Sequence, residues 1–246
     1  MEKGNQEVNF ADCICAKLLE KAVRNLEIVY QPIWNIESET VIGYEALCRP
    51  YARDPTSFIE RARVRNRTTT VDMAIIRRAI VNGQCLIRSG QRLFLNVEPE
   101  TMKDTMLWLP WRYEIPSDSV VLEITERADA EGIVPSVFRH IGVHLAIDDA
   151  GTAWGSLGAI ERIKPDYIKM DRQFLQEHHT DGVLRGMVHL AKTVNANLVA
   201  EGVETVGDLE FLRSIGVRYA QGYFLGRPSS VETWIFNLKT KIEAPR

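Results

Sequence analysis

Eight short, β-rich apolar runs recur along the chain: Ile28–Ile33, Val41–Leu47, Leu93–Val97, Val120–Ile124, Val143–Ile147, Tyr167–Met170, Leu198–Ala200 and Val217–Phe224. They read as continuous apolar stretches, the pattern of strands buried on both faces. Segments with helical spacing lie between them. From Asp72 to Asn82, Ile75, Ile76, Ala79 and Ile80 share one face, and Gly83 is a natural stop. From Val183 to Val194 the apolar positions are Leu184, Met187, Val188, Ala191 and Val194. Leu209 and Leu212 lead to Ile215 and a terminating Gly216. Strands alternating with helices over a chain of 246 residues predict an α/β fold, a single (β/α)8 barrel of the TIM type. The rival is an open doubly wound sheet. It is the weaker choice because no GxGxxG turn follows the first strand.

Composition leaves this picture intact and narrows the function. Hydrophobic content of 45% and charged content of 26% are those of an ordinary globular protein. Lys plus Arg is 30 and Asp plus Glu is 33, so the net charge is 30 − 33 = −3. That balance gives no support to DNA or RNA binding through a basic surface. Cys13, Cys15, Cys48 and Cys85 form no CxxC pair, which argues against a zinc site and for reduced thiols. No apolar stretch approaches the roughly 18 to 20 residues that span a bilayer. The segment Met1–Asp12 is polar and acidic, without the apolar core of a signal peptide. Together these features predict a cytoplasmic chain with no membrane partner.

The chemistry collects at the strand ends. Glu45 lies in the second run, Asn96 ends the third, Glu123 and then Glu126 follow in the fourth, and Asp148-Asp149 close the fifth. Lys169 lies in the sixth, Glu201 ends the seventh with Glu204 beyond it, and Gln221 lies in the eighth. A single acid at a strand end is usually a solvated terminus or a helix cap. In a barrel, however, all these ends converge on one face, where active sites are built. Glu45, Glu123, Asp148, Asp149 and Glu201 then crowd one mouth. Two unit charges about 4 Å apart repel by roughly 4 kcal/mol at an effective dielectric of about 20. The cluster is expected to protonate or deform unless cations occupy it. Hard oxygen donors select Mg²⁺, Mn²⁺ or Ca²⁺, and paired metals suit phosphodiester hydrolysis. Lys169 reads either as an internal ion pair with the cluster or as a cation that orients the attacking water.

The segments YQPIW, GYEALCRP, LFLNVEP, VLEITE, LAIDDAGTAWGSL, PDYIKMD, LVAEGVET and AQGYFLGRP occur in this order from about Leu18 to Pro228. In this order they resemble the EAL-domain cyclic-di-GMP phosphodiesterases. The resemblance implies a modified (β/α)8 barrel over 18–246, one early antiparallel strand, and an N-terminal extension over 1–17. It implies two Mg²⁺ or Mn²⁺ ions held by Glu45, Asn96, Glu123, Asp148, Asp149 and Glu201. Lys169, with Glu45 and Glu201, is implied as catalytic, Lys169 positioning the nucleophilic water. Gln31, Arg49, Glu204 and Gln221 are implied on the substrate side, with Arg49 pairing to a phosphate through its fork of donors. Glu126 is implied as the anchor of the loop after the fifth strand.

The activity implied is hydrolysis of cyclic-di-GMP to linear pGpG, in a chain that forms a homodimer and answers to a regulatory protein partner. The alternative is a non-catalytic or weakly active EAL module that binds cyclic-di-GMP or a protein partner. The loop DDAGTAWGSL departs from the family's usual DDFGTGYSSL at Ala150, Ala153 and Gly155, and Arg218 stands where Asp is common. These departures bear on rate and regulation more than on the metal ligands.

Overall fold

The computed structural model describes residues 26–49, 55–87, 90–108, 118–125, 131–151, 156–176 and 181–243. Eight strands close into a barrel in chain order. They are β1 (Glu27–Asn35), β2 (Thr40–Arg49), β3 (Arg92–Asn96), β4 (Val120–Thr125), β5 (His144–Ala150), β6 (Tyr167–Met170), β7 (Asn197–Ala200) and β8 (Tyr219–Ala220). All eight apolar runs become strands, and closure excludes the open sheet. The strands β2 to β8 are mutually parallel, whereas β1 is antiparallel to both its neighbours. The early antiparallel strand implied by the family resemblance is therefore present.

The reversal has a local cause. Only Ile36–Glu39 separate β1 from β2, too few residues for a parallel crossover, which needs a dozen or more. Asn35 Oδ1 accepts from the Glu37 and Ser38 amides at 3.0 and 3.2 Å, forming an Asx turn. Arg218 Nε meets Glu37 Oε2 at 3.0 Å beside this turn. The unusual arginine is thus a surface ion pair at the end of the barrel opposite the strand-end cluster.

The eighth run needs a correction. Val217–Phe224 is apolar throughout, yet only Tyr219–Ala220 is strand. The Gln221 amide still donates to the Ala200 carbonyl at 2.9 Å, but the chain then turns at Gly222. There a Cβ would stand 2.1 Å from the Val203 carbonyl oxygen. Tyr223 and Phe224 emerge half exposed.

Among the described residues the helices are α1 (Pro55–Val64), α2 (Thr68–Gly83), α3 (Pro99–Lys103), α4 (Pro135–His140) and α5 (Ser156–Ile163), followed by α6 (Gln173–Gln176), α7 (Asp181–Thr193), α8 (Val206–Ser214) and α9 (Val231–Glu243). The helix expected over Asp72–Asn82 starts earlier, at Thr68, and ends at Gly83. The start of α8 is fixed by a capping box between Thr205 and Asp208. Cys13, Cys15, Glu126, Ala153, Gly155 and the extension over 1–17 lie outside the described residues.

Side chains inside the barrel stack in two layers. Ile33, Phe94, Val121, Ala146, Tyr167 and Val199 form an apolar plug, with Phe94 edge-on to Tyr167 at 5.0 Å. Strand side chains alternate faces, so the next inward position lies two residues on. That position is Gln31 on β1, where the direction is reversed, Asn96, Glu123, Asp148 and Lys169 on β3 to β6, and Glu201 just beyond the end of β7. The plug seals the barrel below and raises a polar layer to its mouth.

One acid is buried outside the barrel. Asp72 on α2 is 3% exposed, and burial pushes its carboxyl up to about 7, with the Thr101 hydroxyl and the Glu98 amide pulling the other way. Below about pH 4 the folded and unfolded chains both hold this proton. Between about 4 and 7 only the folded chain does, so stability falls as pH rises. Asp72→Asn should flatten that decline, worth on the order of a few kcal/mol, when urea midpoints are compared from pH 4 to 8.

Candidate active site

Lys169 stands at the centre of the polar layer, 1% exposed. Its Nζ lies 3.3 Å from Glu45 Oε2, 3.0 Å from Glu123 Oε1, 3.2 Å from Asp148 Oδ1 and 2.8 Å from Glu201 Oε1. Four strands and the loop after β7 supply these groups. Burial alone would push the ammonium down; Asp148, Glu123, Glu201 and Glu45 overcome it and hold the pKa well above the usual lysine range. The internal ion-pair reading of Lys169 is the arrangement observed.

One ammonium cannot balance four carboxylates. Burial raises Glu123 well above the ordinary carboxylate range; Lys169 opposes the shift, while Glu45 and Asp148 add to it. Burial likewise pushes Glu201 up to about 8, against Lys169 and with Asp148 and Glu45. The cluster therefore answers its own repulsion in two ways, by seating a lysine and by favouring protonation of Glu123 and Glu201.

Asp149 is presented by a different device. The β5–β6 register shifts between Ile147 and Ala150, and Asp149 takes φ 55°. This bulge turns a second carboxylate toward the mouth beside Asp148. Burial, then Asp148 and Asp171, push the Asp149 carboxyl up to about 6. Ala150 closes the strand fully buried, paired with Met170. The departure at Ala150 thus lies within β5, not in a loop.

A network of amides surrounds Glu45. Asn96 Nδ2 donates to Glu45 Oε1 at 3.1 Å, and Gln221 Nε2 donates to Glu45 Oε2 at 2.7 Å and to Gln31 Oε1 at 3.1 Å. Gln31 Nε2 donates in turn to the Gly226 carbonyl at 3.0 Å. Gln31, Glu45, Asp148, Lys169, Glu201, Glu204 and Gln221 line one cavity of about 240 Å³. Arg49, exposed at the end of β2, lines an adjoining cavity of about 370 Å³ with Asn96, Asp72 and Glu98. Leu47 lines both cavities. Glu204 sits at the outer edge, accepting from Gln176 Nε2 at 3.3 Å.

The site also holds residues that the strand-end reading passed over. Asp171 follows Lys169 at the next inward position, accepts from the Gln173 amide at 2.7 Å, and acts on Asp149. Its signal was present as the last residue of PDYIKMD. Arg172 and Tyr223 line the smaller cavity, and nothing in their spacing marked them. Gly222→Ala is expected to cost about 1–3 kcal/mol or more, because the new methyl meets backbone rather than a movable side chain. A thermal melt checks it; an unchanged midpoint would show that this turn can relax.

The donor set suits hard divalent cations. Asp148, Asp149 and Glu201 each offer an oxygen within 4.8 Å of the others. Among the described residues, Glu123 Oε2 is buried without a hydrogen-bond partner. Glu123 Oε1 and Asp148 Oδ1 make ionic contacts with Lys169 that lack hydrogen-bond alignment. Buried, under-satisfied carboxylate oxygens facing one another are what oxygen-preferring Mg²⁺, Mn²⁺ or Ca²⁺ require.

A barrel of this topology is a fold shared with known proteins. The EAL domain family matches residues 16–228, and the chain belongs to that family. It is 28% identical over 239 residues to the probable cyclic di-GMP phosphodiesterase PdeB of Escherichia coli K12, a match covering 88% of this chain and 46% of that protein. The chain thus spans about half the length of the curated relatives it matches. Among solved structures, the PaMucR phosphodiesterase in complex with c-di-GMP superposes with a TM-score of 0.75 at 27% identity, over 89% of this chain and 98% of that one. Klebsiella pneumoniae BlrP1 with manganese and cyclic-di-GMP gives 0.72 at 26% identity, over 83% of this chain and 56% of that one. Among the described residues, no helix is long and apolar enough to cross a membrane.

Proposed function

We propose that this chain is a cyclic-di-GMP phosphodiesterase that hydrolyses one phosphodiester to give linear pGpG. The observation that carries the reading is the set of Asp148, Asp149 and Glu201 oxygens at the mouth of an EAL-family barrel. Glu45, Asn96, Glu123, Asp148, Asp149 and Glu201 would hold two Mg²⁺ or Mn²⁺ ions. When bound, such ions lower the pKa of water and stabilise charge developing on phosphate.

The chain's own groups do the rest. Lys169, fixed from four sides, holds the attacking water in line with phosphorus. The water oxygen bonds to phosphorus as the P–O3′ bond breaks with its electron pair on the 3′-oxygen, and the proton lost by the water balances the one gained as the 3′-oxygen leaves as a hydroxyl. Arg49 offers two parallel donors to a phosphate oxygen pair. Gln31, Glu204 and Gln221 face the substrate, and Gln221 also donates to the Glu45 carboxylate and to Gln31 Oε1. Glu126 enters only through the family resemblance, which implies it as the anchor of the loop after β5. A cytoplasmic homodimer under the control of a protein partner completes the reading; the location rests on composition and hydropathy, the dimer and the partner on the family resemblance.

Calorimetry separates the two kinds of residue. Glu45→Ala should weaken Mn²⁺ binding, whereas Arg49→Ala should leave Mn²⁺ binding intact and weaken cyclic-di-GMP binding in Ca²⁺. The division of roles fails if both changes weaken the metal equally and neither alters the nucleotide.

A further inference from the structure

Asp72 lies on α2, outside the barrel and outside the set of groups that face the 240 Å³ cavity. Burying a carboxyl among Ile75, Ile76 and Ala79 brings no packing advantage over an apolar side chain, and an unpaired buried polar group costs about 1–3 kcal/mol. What the carboxyl does is accept from the Glu98 amide, Oδ2 to N at 3.0 Å. Glu98 is the hinge where β3 becomes α3, with φ −71° and ψ 141° and no side-chain cap of its own. Two residues earlier, Asn96 ends β3 and donates to Glu45 at 3.1 Å. Between them the Val97 amide still donates to the Glu123 carbonyl at 3.0 Å. The end of β3 is therefore held on one side by the sheet and on the other by Asp72. Arg63 adds a second tether, Nη2 to Glu98 Oε2 at 2.6 Å, but this pair is partly exposed and weak by comparison.

We propose that Asp72 is a positioning residue for the metal site: through the Glu98 amide it fixes the chain beyond β3, and so the direction in which Asn96 faces Glu45 and the cluster. The proposal rests on the reading of Asn96 as a metal ligand. The Thr101 hydroxyl also acts on the Asp72 carboxyl, but the Glu98 amide is the partner that adjoins the Asn96 strand end, so the proposed effect passes through that backbone hydrogen bond.

That single bond can be removed from either end. Asp72→Ala removes the acceptor, and Asp72→Asn keeps one. Glu98→Pro removes the donor at a φ that proline adopts, and Glu98→Ala removes the Arg63 pair but keeps the amide. Mn²⁺ affinity of the full chain is read by calorimetry, with circular dichroism confirming the fold. Asp72→Ala and Glu98→Pro should each weaken Mn²⁺ by about tenfold, the lower range for loss of an outer-shell partner. Asp72→Asn and Glu98→Ala should remain near wild type. The double change Asp72→Ala with Glu98→Pro should be no worse than either alone. If Asp72→Ala does not fold, Glu98→Pro against Glu98→Ala decides the matter.

Wild-type Mn²⁺ affinity in folded Asp72→Ala or Glu98→Pro overturns the inference and leaves the metal site standing. Equal loss in Glu98→Ala and Glu98→Pro also overturns it, by assigning the effect to the side chain. Failure of the wild-type chain to bind Mn²⁺ at all overturns the metal site itself and this inference with it.

Discussion

Replacing Lys169 by Met is expected to destabilise the metal-free chain by about 3–5 kcal/mol at pH 8, the usual cost of removing one partner from a buried ion pair. The ammonium touches four carboxylates within 3.3 Å. Met keeps the length and most of the volume, so the change removes charge rather than packing. The deficit should shrink as pH falls toward 6, because Glu123 and Glu201 already hold their protons tightly and protonation relieves the repulsion that Lys169 no longer offsets. Mn²⁺ should recover much of the loss by supplying cations to the same oxygens, while turnover stays low. Thermal melts of both proteins in EDTA and in Mn²⁺, at pH 6 and 8, test all three statements. Equal midpoints for variant and wild type in EDTA at pH 8 would mean that the carboxylates do not depend on Lys169.

Asp149→Asn should reduce Mn²⁺-dependent cleavage of cyclic-di-GMP more than about 100-fold, exceeding the 10- to 100-fold typical of outer-shell changes. Asp149 sits at φ 55°, a conformation that Asn accepts more readily than almost any residue except Gly. The substitution therefore removes a charge without straining the bulge. A variant with wild-type turnover across a Mn²⁺ titration would take Asp149 out of the metal site.

These two residues also show where sequence reasoning reaches and where it stops. Lys169 could be read, because every inward position along a strand lies two residues from the next and the apolar plug fixes the phase. Tyr167, Lys169 and Asp171 are one such series, and the same rule that selects Lys169 selects Asp171. The antiparallel β1 was implied by the family resemblance alone; its physical cause, a connection of only Ile36–Glu39 that permits no parallel crossover, emerged with the structure. The bulge at Asp149 was not legible, since a register shift arises from how β5 meets β6 and leaves no mark in residue type. Nor was the short β8. Val217–Phe224 mixes residues that pair, residues that turn and aromatics that emerge at the surface, and apolar composition alone does not separate them. Arg49 was placed on the substrate side by the family resemblance, and its side chain borders the adjoining cavity. The placement of Asp72 was out of reach, because its partner is a backbone amide on a distant strand end.

The central claim is that the acidic mouth of this barrel performs metal-dependent hydrolysis of cyclic-di-GMP, and product analysis tests it most directly. The chain is incubated with cyclic-di-GMP in Mn²⁺, in Mg²⁺ and in EDTA, alongside Asp149→Asn in Mn²⁺, and nucleotides are resolved by chromatography. The account predicts linear pGpG with either metal for the wild type, none in EDTA, and almost none from the variant. Intact cyclic-di-GMP in every sample, with calorimetry showing tight nucleotide binding, would contradict it and make the chain a binding module instead.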